Sequence, residues 1–138
     1  MKRKNDVCNM ARIQGHLTLI GKQFDTQKVS DWLGTQPTWE KHPTDVLNNG
    51  RLFGHTEWGV KTTCFDSDDA KEMILSLTEL IPVSTEEMKR AAEEQDAEWH
   101  ILFSIDVEED FPAVVLTPSF VHFAAAINAA IGFDVVLS

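Results

Sequence analysis

The residues of this chain that could do chemistry are mainly carboxylates, concentrated around one strongly alternating stretch in its second half. They are Glu93, Glu94, Asp96 and Glu98 at the start of the stretch, and Glu108, Glu109 and Asp110 after it. Carboxylates at this density attract cationic ligands and basic proteins. If the helix that carries the first group packs beside the turn that carries the second, they form one patch able to hold a Lys/Arg-rich partner.

The charge of the whole chain has the same bias. Residues 1–69 contain nine Lys/Arg and nine Asp/Glu, whereas residues 70–138 contain three against thirteen, so the formal net charge of −10 belongs to the second half. A negative field of this kind repels nucleic acid and anionic lipid, so we expect neither as a partner. The plainer alternative is that surplus acid only keeps a small domain in solution.

A second candidate binding element is the stretch 39–54, which lacks periodicity and is expected to be a long irregular loop with Asn49-Gly50 as its tight turn. Trp39 and Arg51 lie in this stretch. An amphipathic indole and a guanidinium are the side chains that most often anchor a protein partner. The alternative is that the loop folds back and Trp39 caps the core.

The sequence contains no catalytic constellation and no cofactor motif. It lacks a Gly-x-Ser-x-Gly elbow, a phosphate-binding loop and a dinucleotide fingerprint. His55 and Glu57 share one predicted strand face, and Cys64 lies near the acidic run 66–69, but no second ligand pair has the spacing of a metal site. We therefore expect no catalytic residues, no metal and no cofactor, and interpret 66–69 as a helix cap.

The elements that must position these residues follow from hydrophobic periodicity and from helix caps. Alternation with period two predicts strands at 11–20, 56–64, 99–107, 113–116 and 133–137, and 3.6-residue spacing predicts helices at 26–33, 70–81, 84–97 and 118–131. Ser84 and Glu87 have the spacing of a capping box. Gly132 is expected to end the last helix.

The strand at 99–107 is expected to form an antiparallel hairpin with 113–116 through the acidic turn. The predicted order is β-α-β-α-α-β-β-α-β. This order indicates an α+β fold with a single mostly antiparallel sheet of about five strands and helices chiefly on one face. Residues 1–10 are expected to be a flexible leader, and residues 11–138 one domain.

The cysteines and the apolar stretches bear on location. Cys8 and Cys64 are not spaced as a ligand pair or a disulfide framework, and the start of the chain has no apolar segment of a signal peptide. The longest apolar tract falls far short of the ~20 residues that a spanning helix needs. These features favour a cytoplasmic protein without disulfides.

The order of caps, glycines and core residues resembles the bacterial domain-of-unknown-function 4279 family (DUF4279). The resemblance runs from about Arg12 to Leu137. The residues that carry it are Phe24-Asp25, Val29-Ser30, Leu33-Gly34, Pro37-Thr38, Trp58 after Gly50-Arg51, Leu116-Thr117-Pro118 and Gly132-Phe133-Asp134. The resemblance implies a small cytoplasmic bacterial domain with no established catalytic residues. It also implies, by analogy of setting, an immunity role, since some such families occur at polymorphic-toxin loci.

Three hypotheses for function follow. The leading one is a non-enzymatic, immunity-type inhibitor whose carboxylates mimic phosphates and cover a basic surface, such as the nucleic-acid cleft of a nuclease toxin. The alternative is a small-ligand-binding domain or an unrecognised enzyme with a pocket under the 39–54 loop, lined by His42, Arg51 and His55. The third is a self-associating subunit, because edge strands of such a sheet can pair.

Overall fold

The described part of the chain, residues 12–107 and 113–137 of a computed structural model, forms a six-stranded sheet with four α-helices. The strands are β1 (Arg12–Gly21), β2 (Trp39–Lys41), β3 (Thr56–Lys61), β4 (Phe65–Asp66), β5 (Ala97–Val107) and β6 (Ala130–Leu137). The helices are α1 (Thr26–Leu33), α2 (Ala70–Thr78), α3 (Thr85–Glu94) and α4 (Pro118–Ala126), with one 3-10 turn at Ser67–Asp69.

The sheet has the strand order β2-β3-β1-β5-β6, and the short β4 pairs with the start of β1. All pairings are antiparallel except that of β5 with β6, which is parallel. The long central strands β1 and β5 are paired with each other along ten residues. The α+β class and the mostly antiparallel sheet predicted from the sequence are therefore confirmed.

The four α-helices cover one face of the sheet. Contacts between the helices and the sheet include Trp58 Nε1 donating to Ser30 Oγ of α1 at 2.9 Å, Trp99 Nε1 donating to the Met88 carbonyl of α3 at 2.8 Å, and the Phe103 ring 5.5 Å from the Phe120 ring of α4. Helix α2 packs over Gly15, where an added Cβ would lie 3.1 Å from Met73 and Leu77. The absence of a side chain at Gly15 thus lets α2 approach β1 closely.

Helix caps agree with the sequence in most details. Asp25 accepts hydrogen bonds from two backbone N–H groups of α1, and Gly34 ends that helix at a φ of 64°. Ser84 caps α3 and Thr117 caps α4. The reciprocal half of the predicted capping box is not formed: the Glu87 carboxylate instead accepts a hydrogen bond from Trp32 Nε1 at 3.0 Å and thereby joins α3 to α1.

The predicted hairpin of 99–107 with 113–116 is wrong. Residues 113–117 form no strand, and β5 has β1 on one edge and β6 on the other. A strand with two neighbours offers no free edge to a third. Val114 and Leu116 instead pack, partly buried, against the core.

Two further boundaries differ from the prediction. Helix α4 ends at Ala126, and Asn128 adopts a left-handed φ of 54°, so Gly132 lies inside β6 instead of ending a helix. Asparagine tolerates this conformation better than most residues. Within the predicted loop 39–54, residues 39–41 form the edge strand β2, and Val46 and Leu52 form an isolated bridge.

The predictions about the chain start and the cysteines have different outcomes. The predicted leader, residues 1–10, lies outside the described residues, as does Cys8. Cys64 is disulfide-bonded, so the expectation of a chain without disulfides is wrong at this residue. No helix within the described ranges combines the length and apolar character that crossing a bilayer requires.

Candidate functional site

The first group of candidate carboxylates lies in the connection between α3 and β5. Glu93 and Glu94 end the helix, Asp96 forms the turn, and Glu98 is the second residue of the strand. The turn is held by the Asp96 N–H, which donates to the Glu93 carbonyl at 3.2 Å. All four side chains are exposed. A six-residue stretch thus places four carboxylates at one end of the sheet.

Asp96 gives this turn its shape. Its φ of 52° lies in the left-handed region, which costs a residue with a Cβ free energy and which Asp and Asn tolerate better than bulky residues. The reversal lets the chain leave α3 and enter β5 within two residues. The acidic side chain at this position is therefore compatible with the backbone that the connection requires.

Three of the carboxylates line one open hollow of about 630 Å³. They are Glu93, Asp96 and Glu98, and the hollow is also lined by Lys22, His55 and His100. Glu98 Oε2 lies 3.8 Å from His100 Nε2. Among the residues that the structure describes, none of the four carboxylates is in an ion pair with Lys or Arg. The end of the sheet at the α3–β5 connection therefore keeps a net negative surface.

The second group, Glu108, Glu109 and Asp110, lies outside the described residues. It follows Val107, which is the last residue of β5, whereas Glu98 lies near its first. A strand of eleven residues spans about 33 Å, several times the Debye length at physiological salt. The hairpin whose turn was expected to carry this second group is absent, since residues 113–117 form no strand. The candidate surface is therefore built from the first group alone.

Trp39 and Arg51 lie on different parts of the structure. Trp39 belongs to β2, and its indole covers Gly59 and meets the His16 ring edge to face at 5.7 Å. Arg51 lies in the tight turn at the tip of the 42–55 arm, where its backbone N–H donates a hydrogen bond to Asn49 Oδ1. This arrangement favours the interpretation of Trp39 as a residue that covers the sheet, and leaves Arg51 as an exposed cation.

The pocket expected under the 39–54 stretch had three candidate lining residues. Gly54 donates to the Pro43 carbonyl, which places His42 and His55 at the base of the arm, while Arg51 is at its tip. His55 lines the acidic hollow. The structure therefore does not bring these three side chains together at one point of the arm.

A polar cluster that sequence reasoning missed lies on the face of the sheet opposite the helices. Ser104 Oγ of β5 is 3.1 Å from His16 Nε2 of β1, and Trp39 contacts the same imidazole. Burial lowers the pKa of His16 below 6.5, the nearby Lys61 lowers it further, and Asp134 opposes the shift. The alternation of apolar and polar residues along β1 and β5 indicates on which face of the sheet each residue lies. Only the pairing of the two strands shows that His16 and Ser104 meet.

The chemistry open to this cluster is limited by its backbone. A neutral imidazole beside a serine hydroxyl is the start of a nucleophilic pair. Both residues, however, lie in the middle of strands that are paired on both sides, so their backbone N–H groups belong to the sheet and do not form an oxyanion hole. Within residues 12–107 and 113–137, no group of three or more His, Cys, Asp or Glu side chains is placed to hold a metal ion.

The fold and site together define a small α+β domain with an exposed acidic end and no assembled catalytic machinery among its described residues. A family model, described as domain of unknown function (DUF4279), matches residues 11–138. The chain therefore belongs to the DUF4279 family, as the resemblance in its sequence indicated. No curated protein and no solved structure matches the chain.

Proposed function

We propose that this chain is a non-enzymatic binding protein, an immunity-type inhibitor that covers a basic surface of a toxin or of another cationic protein. The observation that carries the proposal is the group of four exposed carboxylates at the α3–β5 connection. It is supported by the absence of Lys or Arg ion pairs at these four among the described residues.

The mechanism is electrostatic. The carboxylates take the places that phosphates occupy on a nucleic-acid-binding protein, and the negative field of the second half of the chain steers the basic partner toward them. Because such steering acts on the encounter, its loss slows association more than it speeds dissociation. We place this activity in the bacterial cytoplasm. Cell fractionation tests that location. The disulfide at Cys64 counts against it, because the cytoplasm is a reducing compartment in which disulfides are rare.

The test replaces the four carboxylates, with Glu93→Gln, Glu94→Gln, Asp96→Asn and Glu98→Gln in one variant. A matched control removes four exposed carboxylates near α2, with Asp68→Asn, Asp69→Asn, Glu72→Gln and Glu79→Gln. Wild type and both variants are used as baits for proteins of the source organism. We expect a basic protein that is retained by the wild type and the control and is lost from the site variant.

Binding kinetics with that protein then decide the mechanism. We expect its association rate to fall by about tenfold or more in the site variant, and to fall steeply in the wild type as salt rises. Equal association rates of the site variant and the control would contradict the proposal, because the charge change is the same and only its location differs.

A second candidate function is small-ligand binding on the open face of the sheet. The observation that favours it is the contact of His16 with Ser104 beside Trp39. A cavity of about 280 Å³ on this face is lined by Thr18, Glu57 and His100 among others. A ligand bound in that cavity would perturb the NMR resonances of Thr18 and Glu57 and leave those of Glu93 and Asp96 unchanged.

A further inference from the structure

The connection between β2 and β3 forms an arm that extends beyond the sheet. Residues 42–55 join the two strands, and Val46 and Leu52 pair across the connection as an antiparallel bridge. Lys41, the last residue of β2, pairs with Glu57 near the start of β3. The chain between these two residues therefore runs past the end of both strands.

The arm leaves the sheet at the end that carries the acidic connection. Thr56, the first residue of β3, pairs with Gly21 of β1, and Gly21 pairs with Ala97, the first residue of β5. The α3–β5 connection leads directly into Ala97. His55, at the base of the arm, lines the acidic hollow together with the three carboxylates described above. The arm and the α3–β5 carboxylates therefore lie next to each other at one end of the sheet.

Backbone hydrogen bonds hold the arm in one conformation. The Leu47 N–H donates to the Arg51 carbonyl at 2.7 Å, and the Phe53 N–H donates to the Asp45 carbonyl at 2.7 Å. The Gly50 N–H donates to the Leu47 carbonyl at 2.9 Å and closes the turn. Because its backbone is already ordered, the arm loses little conformational freedom when it binds a partner.

The tip of the arm presents apolar surface to solvent. Val46 is 71% exposed, Leu52 59% and Leu47 37%. Opposite residues of an antiparallel pair lie on the same face, so the side chains of Val46 and Leu52 are neighbours. The formal charges of residues 42–55 are those of Asp45 and Arg51, which cancel. The arm is therefore a neutral element with an apolar tip, beside an acidic hollow.

We propose that Val46 and Leu52 insert into an apolar cleft of the same basic protein that the α3–β5 carboxylates attract, an inference that rests on the proposed function. Protein interfaces combine apolar side chains that exclude water with a polar or charged rim, and both parts lie at this end of the sheet. Charges act mainly on the encounter, whereas buried apolar contacts determine how long a complex lasts. The carboxylates thus speed the formation of the complex, and the arm holds it.

The test removes the apolar surface of the tip without changing any charge, with Val46→Ser and Leu52→Ser in one arm variant. A matched arm control carries Val115→Ser and Leu75→Ser, at side chains that are 68% and 59% exposed and lie outside the arm. Both serve as baits beside the wild type and the site variant. The basic protein retained by the wild type is then purified and used as the probe in binding kinetics.

The two groups of substitutions should act on different rate constants. We expect the arm variant to dissociate about tenfold or more faster than the wild type, because its tip no longer excludes water from the cleft. Its association rate should stay within about threefold of the wild type, because the charges that steer the encounter are unchanged. The site variant should show the converse, and the arm control should resemble the wild type.

Each outcome separates the two proposals. Equal dissociation rates of the arm variant and the arm control overturn the arm contact and leave the binding by the carboxylates intact. If the site variant binds like the wild type while the arm variant dissociates faster, the electrostatic mechanism is overturned and the arm contact stands. Retention of no basic protein by the wild type overturns both.

A second experiment needs no partner and tests whether the arm is ordered in the free full chain. Amide hydrogen exchange of Leu47, Gly50 and Phe53 should be about tenfold or more slower than that of Asn48 and Asn49, whose N–H groups form no hydrogen bond within the described residues. The arm variant should keep this difference. Equally fast exchange at all five amides of the wild type overturns the proposal, because the arm would then be disordered before it binds.

Discussion

The packing of Trp39 on Gly59 shows how one residue without a side chain can determine where a tryptophan lies. The indole occupies the space that a Cβ at residue 59 would need. Trp39 thereby covers the open face of the sheet and contacts His16. The surface that holds the polar cluster therefore depends on a glycine in β3.

We expect Gly59→Ala to displace the Trp39 ring and to lower the free energy of unfolding by about 1–3 kcal/mol, the usual cost of overpacking. Urea denaturation of wild type and variant measures this difference in the free energy of unfolding. Gly132→Ala is the matched control, because a Cβ there would meet Leu102 at an ordinary distance of 3.5 Å. An equal loss of stability in the two variants would show that the Trp39 contact is not the cause.

His16 is the residue whose protonation should couple to stability. Its pKa in the folded protein is lowered below 6.5, first by burial and then by Lys61, against the opposing effect of Asp134. Between the folded pKa and 6.5 the unfolded chain binds more protons at this residue than the folded protein. The contribution of His16 therefore makes stability rise with pH in that window and fall as the pH is lowered through it.

The matching experiment compares wild type with His16→Gln by urea denaturation over a pH range of about 5 to 8. We expect the midpoint of the wild type to fall more steeply below pH 6.5 than that of the variant. Both proteins should have the same slope above that value. The same slope in both proteins throughout the range would refute the coupling.

At the scale of the element, helix ends are encoded locally. Asp25, Ser84 and Thr117 accept hydrogen bonds from the first turns of α1, α3 and α4, as expected from their positions before apolar periodic segments. The hydrogen-bond partner of the Glu87 carboxylate, in contrast, is not determined by neighbouring residues in the sequence. Trp32 of α1 lies within reach only because both helices pack on the same face of the sheet.

We expect Ser84→Ala to lower the free energy of unfolding by about 1 kcal/mol, because the Glu87 N–H loses its acceptor at 3.2 Å. Denaturant unfolding provides the measurement. Ser119→Ala, at an exposed serine of the first turn of α4 outside the cap, should change stability little. A negligible effect at Ser84 would mean that water replaces the hydroxyl at this helix end.

The predicted hairpin of 99–107 with 113–116 is wrong because both edges of β5 are taken by longer strands. Both segments are apolar, and adjacent strands often pair, so a hairpin was the expected connection. In the structure β5 instead pairs with β1, about eighty residues before it, and with β6, which follows α4. The short segment 113–116 cannot compete with two long neighbours for the edges of β5.

At the scale of the whole molecule, the topology distributes the charge. The second half of the chain holds the net −10, but among the described residues the structure gathers only Glu93, Asp96 and Glu98 of the candidate carboxylates in one hollow. The proposed binding surface is therefore smaller than the charge count alone suggested. It also lies away from most of β6, whose apolar side chains are exposed.

The sequence by itself determined the fold class, most elements, the helix caps at Asp25, Ser84 and Thr117, and the family, because these depend on periodicity and on hydrogen bonds between near neighbours. Only the tertiary structure decided which strands are neighbours. That choice brings His16 to Ser104, places Trp39 on Gly59, gathers Glu93, Asp96 and Glu98 in one hollow, and leaves β6 at the edge. Each depends on strand pairing between residues far apart in the chain, which packing of the whole core selects and no local pattern encodes.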